Sequence, residues 1–387
     1  MKVLIYAQHL SGVGHRVRAL ELARALAERH EVALVDGGRH VPHRECADQI
    51  RWVEIPGLMR TKKGLVSTDG SGSLAGARKN RQQKLVEEVR QTVPDVLLIE
   101  HYPFSKWELA SEIEATLDAA REMNPRVRVL CSLRDISPQT RHEGVHGEEY
   151  TARVLEALGD RFDGVLLHSD PAFTRLDEHF AGAERIPVAV HYTGFVSEKP
   201  RSRGSRHRPL EAPYAVSSVG GGSGSVDLAL DCVEAWRRNL TAGRTGGRVL
   251  VTFAGLFWSK AEIRRVEEAI ADGPFLLESF RDDFLDWLAG ADFSISRAGY
   301  NTCTNLLETR RPAILAPHPR MSDQAYRATR LAELGLATTI PTDGVRVQTL
   351  AQAMVDASER TPTHHRIDLD GARNTRVYLE STERNTN

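Results

Sequence analysis

The residues able to do chemistry gather where short apolar runs end. Val3 to Ala7 is such a run, and Ser11-Gly12-Val13-Gly14-His15-Arg16 follows it closely. Glycines at a strand-to-helix turn let backbone come close to a ligand, and they expose a helix N-terminus whose free N–H groups favour negative charge. His15 at such a turn can accept a proton near neutral pH. The spacing alone equally admits a His15 that merely caps the turn. Two further runs end in charged groups: Val96 to Ile99 enters Glu100-His101-Tyr102-Pro103, and Leu130 to Leu133 enters Arg134-Asp135. Glu100 or Asp135 could orient His15 and stabilise its charged form, as a general base requires. A buried ion pair of Arg134 with Asp135 or Glu100 is the other reading of the same residues.

The second half carries a richer phosphate loop. Gly220-Gly221-Gly222-Ser223-Gly224-Ser225 follows the run ending at Val219 and precedes an amphipathic stretch. Such a loop suits a diphosphate, although a flexible turn has the same composition. The dinucleotide fingerprint fits it poorly, because no acidic residue ends a second strand about twenty residues on, and the Gly-Lys-Ser/Thr ending of a P-loop is missing. The stretch Ser296-Arg297-Ala298-Gly299-Tyr300-Asn301-Thr302 also leads from a strand into a helix and can bring a second helix N-terminus to a phosphate. Beyond Pro317-His318-Pro319-Arg320, the pair Asp323-Gln324 offers a carboxylate beside an amide, a combination that grips neighbouring sugar hydroxyls.

Alternating strands and helices must position these groups. Strands are expected at Val3–Ala7, Val32–Val35, Val96–Ile99, Val127–Ser132 and Gly164–Leu167, with helices at Val17–Arg29 and Trp107–Met123. The second series has strands at Tyr214–Val219, Val249–Phe253, Phe293–Ser296 and Ala313–Ala316. Helices there are expected at Val226–Asn239, Lys260–Ala271, Thr302–Thr309 and Gln324–Leu334. Strands this short and apolar belong to a parallel sheet covered on both faces. The expected class is α/β, with two doubly wound Rossmann-like domains facing across a cleft. The first is residues 1–196, the second 214–372, and 197–213 the linker. The tail, 373–387, packs back on the first domain through a helix at Arg373–Glu383. The basic cluster of the linker (Arg201, Arg203, Arg206, His207, Arg208) reads as a solvated connection rather than a phosphate site. Gly57 to Ala77, ahead of a helix with Arg78, Lys79, Arg81 and Lys84, reads as a mobile flap over an acceptor; a basic face that touches an anionic membrane is the less favoured reading.

Composition sets the outer bounds. The chain has 387 residues, 41% hydrophobic and 27% charged, which is globular and too long for one ordinary core. Its 51 Lys and Arg stand against 52 Asp and Glu, a net charge of −1, so nucleic acid is disfavoured as the main partner. No apolar run reaches the roughly 18–20 residues needed to span a bilayer. Cys46, Cys131, Cys232 and Cys303 show neither metal-ligand spacing nor a disulfide framework, which fits a reducing cytoplasm.

The motifs in this order resemble the GT-B glycosyltransferases of family GT28, the branch of the lipid-II-forming N-acetylglucosaminyltransferase, and a related bacterial set of predicted glycosyltransferases. The resemblance runs through Gly12-Val13-Gly14-His15, Glu100 to Phe104, Ser132 to Asp135, Tyr192-Thr193-Gly194-Phe195, Gly220 to Gly224, Ser296 to Thr302 and Asp323-Gln324, and it is most specific over Ser296 to Gly335. It implies a hexosyltransferase with its donor, a nucleotide-diphosphate sugar and by preference a UDP-sugar, mainly on the C-terminal domain. Gly220, Gly221, Gly222, Ser223, Arg297, Gly299, Tyr300, Asn301 and Thr302 would then serve the diphosphate, Phe280 beside Arg281 the base, and Asp323 and Gln324 the sugar. The acceptor would dock on the N-terminal domain, at Gly12, Gly14, Arg16, His101 and Arg134. His15 would be the base, with Glu100 and Asp135 as the other catalytic candidates, or a group contacting donor phosphate and acceptor. The chain departs from the family at Asn305, where a ribose-binding Glu is typical; Glu308 lies one turn later.

No Asp-x-Asp motif stands at a strand end to hold a divalent ion. Helix N-termini and backbone N–H groups are therefore expected to neutralise the leaving diphosphate, with no metal and no cofactor. An acceptor hydroxyl attacking from the opposite face would invert the anomeric centre. Three rivals use the same features: a sugar-nucleotide epimerase, a non-catalytic sugar-nucleotide sensor and an NAD-dependent enzyme.

Overall fold

The computed structural model describes all residues except 11, 42–48, 62–63, 69–72, 137–146, 201–208, 221–225, 342–345 and 384–387. Two compact units emerge: Met1–Ser197 with Ile367–Asn387, and Glu198–Arg366. The linker cluster Arg201 to Arg208, the loop residues Gly221, Gly222, Ser223 and Gly224, and Lys62, Lys63, Gly70 and Gly72 lie outside the described residues.

In the first unit the strands are β1 (Lys2–Ala7), β2 (Glu31–Asp36), β3 (Ile50–Glu54), β4 (Leu58–Thr61), β5 (Gly64–Ser67), β6 (Val96–Glu100), β7 (Arg128–Arg134), β8 (Gly164–His168) and β9 (Ala189–Tyr192). The helices are α1 (Gly14–Ala27), α2 (Leu74–Thr92), α3 (Ala110–Met123) and α4 (Gly147–Arg161). Seven strands form one parallel sheet in the order β3-β2-β1-β6-β7-β8-β9. Runs such as Val96-Leu97-Leu98-Ile99 are wholly buried because helices cover both faces. Strand order reverses between β1 and β6, with Tyr6 paired to Ile99, so the loops carrying His15 and Glu100–His101 leave the sheet side by side at the switch point.

The second unit repeats the scheme with β10 (Tyr214–Ser218), β11 (Val249–Phe253), β12 (Phe275–Glu278), β13 (Phe293–Ser296), β14 (Ala313–Leu315) and β15 (Thr338–Thr339). Its helices are α5 (Asp227–Thr241), α6 (Lys260–Ala269), α7 (Phe284–Gly290), α8 (Tyr300–Thr309), α9 (Ser322–Glu333) and α10 (Val347–Ser358). The order β12-β11-β10-β13-β14-β15 reverses between β10 and β13, where Ser218 pairs with Ser296. The fold is GT-B in class: two Rossmann-like α/β units.

The final helix, α11 (Gly371–Glu383), belongs to the first unit. The chain re-enters that unit at Ile367, earlier than position 373, because Phe195 N–H donates to Asp368 O at 2.8 Å and Gly371 N–H to Phe195 O at 2.9 Å. Among the described residues no helix is long and apolar enough to cross a membrane.

The described residues of Gly57 to Ala77 include regular structure. β4 and β5 form an antiparallel hairpin, and Ser73 caps α2 by accepting the Gly76 N–H at 3.1 Å. Arg81 does not belong to a basic face. It is fully buried, donating through Nε to Glu112 Oε2 at 2.9 Å and through Nη2 to Tyr6 Oη at 2.8 Å and Gln8 Oε1 at 2.6 Å. Nη1 donates to Gly37 O at 2.8 Å.

Candidate functional site

At the switch point of the first unit, His15 opens α1 and Glu100 closes β6. His15 Nδ1 lies 3.0 Å from Glu100 Oε1, and Arg18, one turn along the same helix face, also binds that oxygen. The His101 ring stands edge-on to His15 with centroids 4.9 Å apart. Lys106, 7% exposed, donates from Nζ to Gln8 O at 2.7 Å. His101 and Lys106 both have left-handed backbone, φ 65° and 70°, so the loop between them turns sharply at each end.

Burial is the main cause that brings the His15 imidazole down to about 3; Lys106 and Arg18 add to it, and Glu100 opposes it without prevailing. Burial alone would raise the Glu100 carboxyl, but His15, Arg18 and Lys106 hold it below the usual carboxylate range. The result is a neutral imidazole beside a carboxylate. A carboxylate only accepts, so the proton sits on Nδ1 and the Nε2 lone pair is left as a base.

Other expected residues have different roles. Arg16 is committed to Asp36, Nε to Oδ2 at 3.1 Å, with its guanidinium 4.8 Å over the Trp52 ring. Its charge is thus paired with the acidic group at the end of β2. Asp135 is fully buried and accepts the Ile136 N–H at 2.7 Å, whereas Glu100 is the carboxylate on His15. Arg134 contributes positive charge felt by His101 and Lys106. Gly12 and Gly14 flank the turn into α1, whose N-terminus has no side-chain cap. Arg18 and Lys106 escaped the sequence reading. The three-residue step from His15 to Arg18 was a signal for the first; no spacing flagged the second.

Behind the site, His168 bridges Ser132 Oγ (Nε2, 2.8 Å) and Thr193 Oγ1 (Nδ1, 2.9 Å). Burial chiefly, then Arg18, lowers its imidazole from 6.5 to about 3. Between those values the unfolded chain binds a proton that the folded chain does not. Stability from this group is therefore present above pH 6.5 and lost as pH falls toward 3. His168→Asn is expected to flatten the fall in stability from about pH 6 to pH 4, removing up to ~1.4 kcal/mol per pH unit. Urea midpoints measured across that range check it.

His15, Glu100 and His101 offer three ligand atoms within 4.8 Å of one another, the one such grouping found among the described residues. Arg18, Lys106 and Arg134 act on these same groups, and their charge opposes a divalent cation there. The Asp368-Leu369-Asp370 pair is occupied otherwise: Asp368 accepts the Asp370 N–H at 2.8 Å and Asn374 Nδ2–H at 2.9 Å.

In the second unit, loops from β10 and β13 converge on one hydroxyl. A Cβ added at Gly220 would lie 3.7 Å from Thr302 Oγ1, and one at Gly299 would lie 3.8 Å from it. Gly220 has φ +81°, which a side chain would strain, and its N–H donates to Ser218 Oγ at 3.1 Å. α8 begins at this point with no side-chain cap and no acidic residue in its first turn, so the helix dipole there favours negative charge. Tyr300 is buried and Asn301 half-buried, so the Tyr300 contribution there is its backbone. Arg297 Nη1 donates to Ala316 O at 2.8 Å, while its Nε is buried without a partner. Asn305 is buried and its Oδ1 lacks a hydrogen bond. Glu308, one turn after Asn305, binds Lys199 at 2.9 Å. Asp323 holds Arg327 at 3.0 Å, and Gln324 Oε1 accepts the His318 N–H at 3.0 Å, both in the first turn of α9. Phe280 is half-buried, and Arg281 is clamped by Asp283 at 2.8 Å and Glu278 at 3.1 Å.

Residues 260–366 match the glycosyltransferase family 28 C-terminal domain. The match spans Phe280, Arg297 to Asn305, Asp323 and Gln324, and leaves out the Gly220 loop and the first unit. The UDP-N-acetylglucosamine–N-acetylmuramyl-(pentapeptide) pyrophosphoryl-undecaprenol N-acetylglucosamine transferase of Rippkaea orientalis (strain PCC 8801 / RF-1) is 30% identical over 165 residues, 40% of this chain and 43% of that protein. The chain thus aligns with less than half of that relative's length. The solved glycotransferase of kitacinnamycin superposes with a TM-score of 0.62 at 17% identity, covering 99% of this chain and 98% of that one. A Listeria monocytogenes protein assigned as a UDP-N-acetylglucosamine 2-epimerase superposes at 0.63 and 12% identity, covering 100% and 98%. At these identities the two structures establish the shared fold, and the family 28 likeness is confined to residues 260–366.

Proposed function

We propose that the chain is an inverting, metal-independent glycosyltransferase that moves a sugar from a nucleotide-diphosphate sugar to an acceptor hydroxyl. The observation that carries this reading is the His15 Nδ1–Glu100 Oε1 contact of 3.0 Å, which leaves Nε2 as the base. The acceptor O–H proton passes to Nε2 as its oxygen forms a bond to the anomeric carbon. The bond from that carbon to the diphosphate oxygen breaks, and the nucleoside diphosphate leaves with the electron pair. The start of α8, where the helix dipole favours negative charge, and the Gly220 and Gly299 loops suit the nucleoside diphosphate. The R. orientalis relative is named for a UDP-sugar donor and a pyrophosphoryl-lipid acceptor, which supports a UDP-sugar here. A cytoplasmic setting supplies such donors and suits three buried free cysteines, Cys131, Cys232 and Cys303.

Incubation with a panel of nucleotide sugars and hydroxyl acceptors, read by mass spectrometry, is expected to show transfer that EDTA does not diminish. NMR is expected to show an inverted anomeric centre. The epimerase reading draws on the fold shared with the Listeria protein and predicts donor conversion with no acceptor present. Tight donor binding without any turnover would instead make the chain a sensor. Thr302→Val keeps the volume but removes the hydroxyl on which the two loops converge. It is expected to weaken nucleoside diphosphate binding about tenfold by calorimetry, the loss of one hydrogen bond to a charged group.

A further inference from the structure

The His15 site holds more positive charge than its described carboxylate answers. Glu100 is shared by His15, Arg18 and Lys106. Lys106 is buried, and among the described residues its three ammonium protons have one acceptor, the neutral Gln8 carbonyl at 2.7 Å. Arg60, which also acts on Lys106, is bound to Glu108. Among the described residues, two polar atoms at this place are buried without a partner, His101 Nε2 and Glu100 Oε2. Buried polar groups are nearly always hydrogen-bonded, so these two atoms call for a partner that the described side chains do not supply.

One kind of ligand satisfies all of them. A hydroxyl donates to the Glu100–His15 pair, and a neighbouring oxyanion accepts from Lys106 and from the His101 imidazole. We propose that Lys106 and His101 form an oxyanion subsite which holds a phosphate or carboxylate group of the acceptor beside its reacting hydroxyl. That the anion belongs to an acceptor rests on the transferase reading; that an oxyanion binds here does not. The negative charge would also raise the imidazole of His15, which burial, Lys106 and Arg18 hold at about 3, and so make it a stronger base as the substrate arrives.

The test uses the full chain and two probes, inorganic phosphate and acetate, with the His15 and His101 ring nitrogens followed by NMR. Saturable shifts of both rings are expected with at least one anion, and the better probe tells a phosphate subsite from a carboxylate one. Lys106→Met should weaken that binding at least tenfold, Lys106→Arg should largely keep it, and Thr302→Val in the second unit should leave it unchanged. Ring shifts absent with both anions, or unaltered in Lys106→Met of native circular dichroism, overturn the proposal. So does preferential shifting by zinc ions, which would make His15, Glu100 and His101 a metal site. Failure of every nucleotide sugar to turn over sinks the transferase reading while leaving the phosphate titration to stand or fall by itself.

Discussion

His15→Ala is expected to lower kcat by roughly 10²–10⁴-fold, the usual contribution of a positioned general base, with little change in donor affinity. The geometry sets this expectation. Nδ1 is held by Glu100 Oε1 at 3.0 Å, so the ring has one tautomer and a fixed direction for Nε2. Alanine removes the base and leaves the α8 N-terminus, in the other unit, intact. Stopped assays with saturating donor separate the two quantities, and full turnover in His15→Ala would remove His15 as the base. A pH profile adds a second check. A base works when neutral, hence above its own pKa; with burial holding His15 at about 3, the acid limb of kcat/KM for the free protein should lie well below the ordinary 6.5. A limb at the ordinary value would contradict that environment.

Arg81→Met is expected to destabilise the first unit by about 3–5 kcal/mol, because it strands a buried carboxylate. Glu112 is 3% exposed and would lose its bidentate partner, while Gly37 O, Gln8 Oε1 and Tyr6 Oη would each lose a donor. The double replacement Arg81→Met with Glu112→Leu removes both charges and should recover much of that loss. Lys79→Ala, two positions away and exposed, should stay within about 0.5 kcal/mol. Hydrogen exchange can localise the effect: protection should fall in peptides of β1, α2 and α3 and persist in the second unit. Equal loss in both units would mean that Arg81 is not the local tie its contacts describe.

These two side chains show how unevenly a sequence reveals its roles. Period and polarity exposed the strands at Val96–Ile99 and Phe293–Ser296, since short runs that are apolar or alternate with small polar residues have few other uses. They failed for β4 and β5, four residues each and only partly buried, and for β15 at two residues, where too few side chains face a core to leave a pattern. Arg81 looked like surface charge beside Arg78, Lys79 and Lys84 because composition does not record which helix face packs inward.

The sequence by itself determined the alternation of strand and helix, the glycines at the turns after β1, β10 and β13, and the presence of His15 and Glu100 at strand ends, because these are local properties that neighbouring residues encode. The tertiary structure decided which carboxylate serves His15, choosing Glu100 over Asp135, and it added Arg18 and Lys106 to the site while committing Arg16 to Asp36. Those choices depend on strand order. Placing β6 beside β1 brings together groups 85 positions apart, and distance along the chain carries no trace of that adjacency.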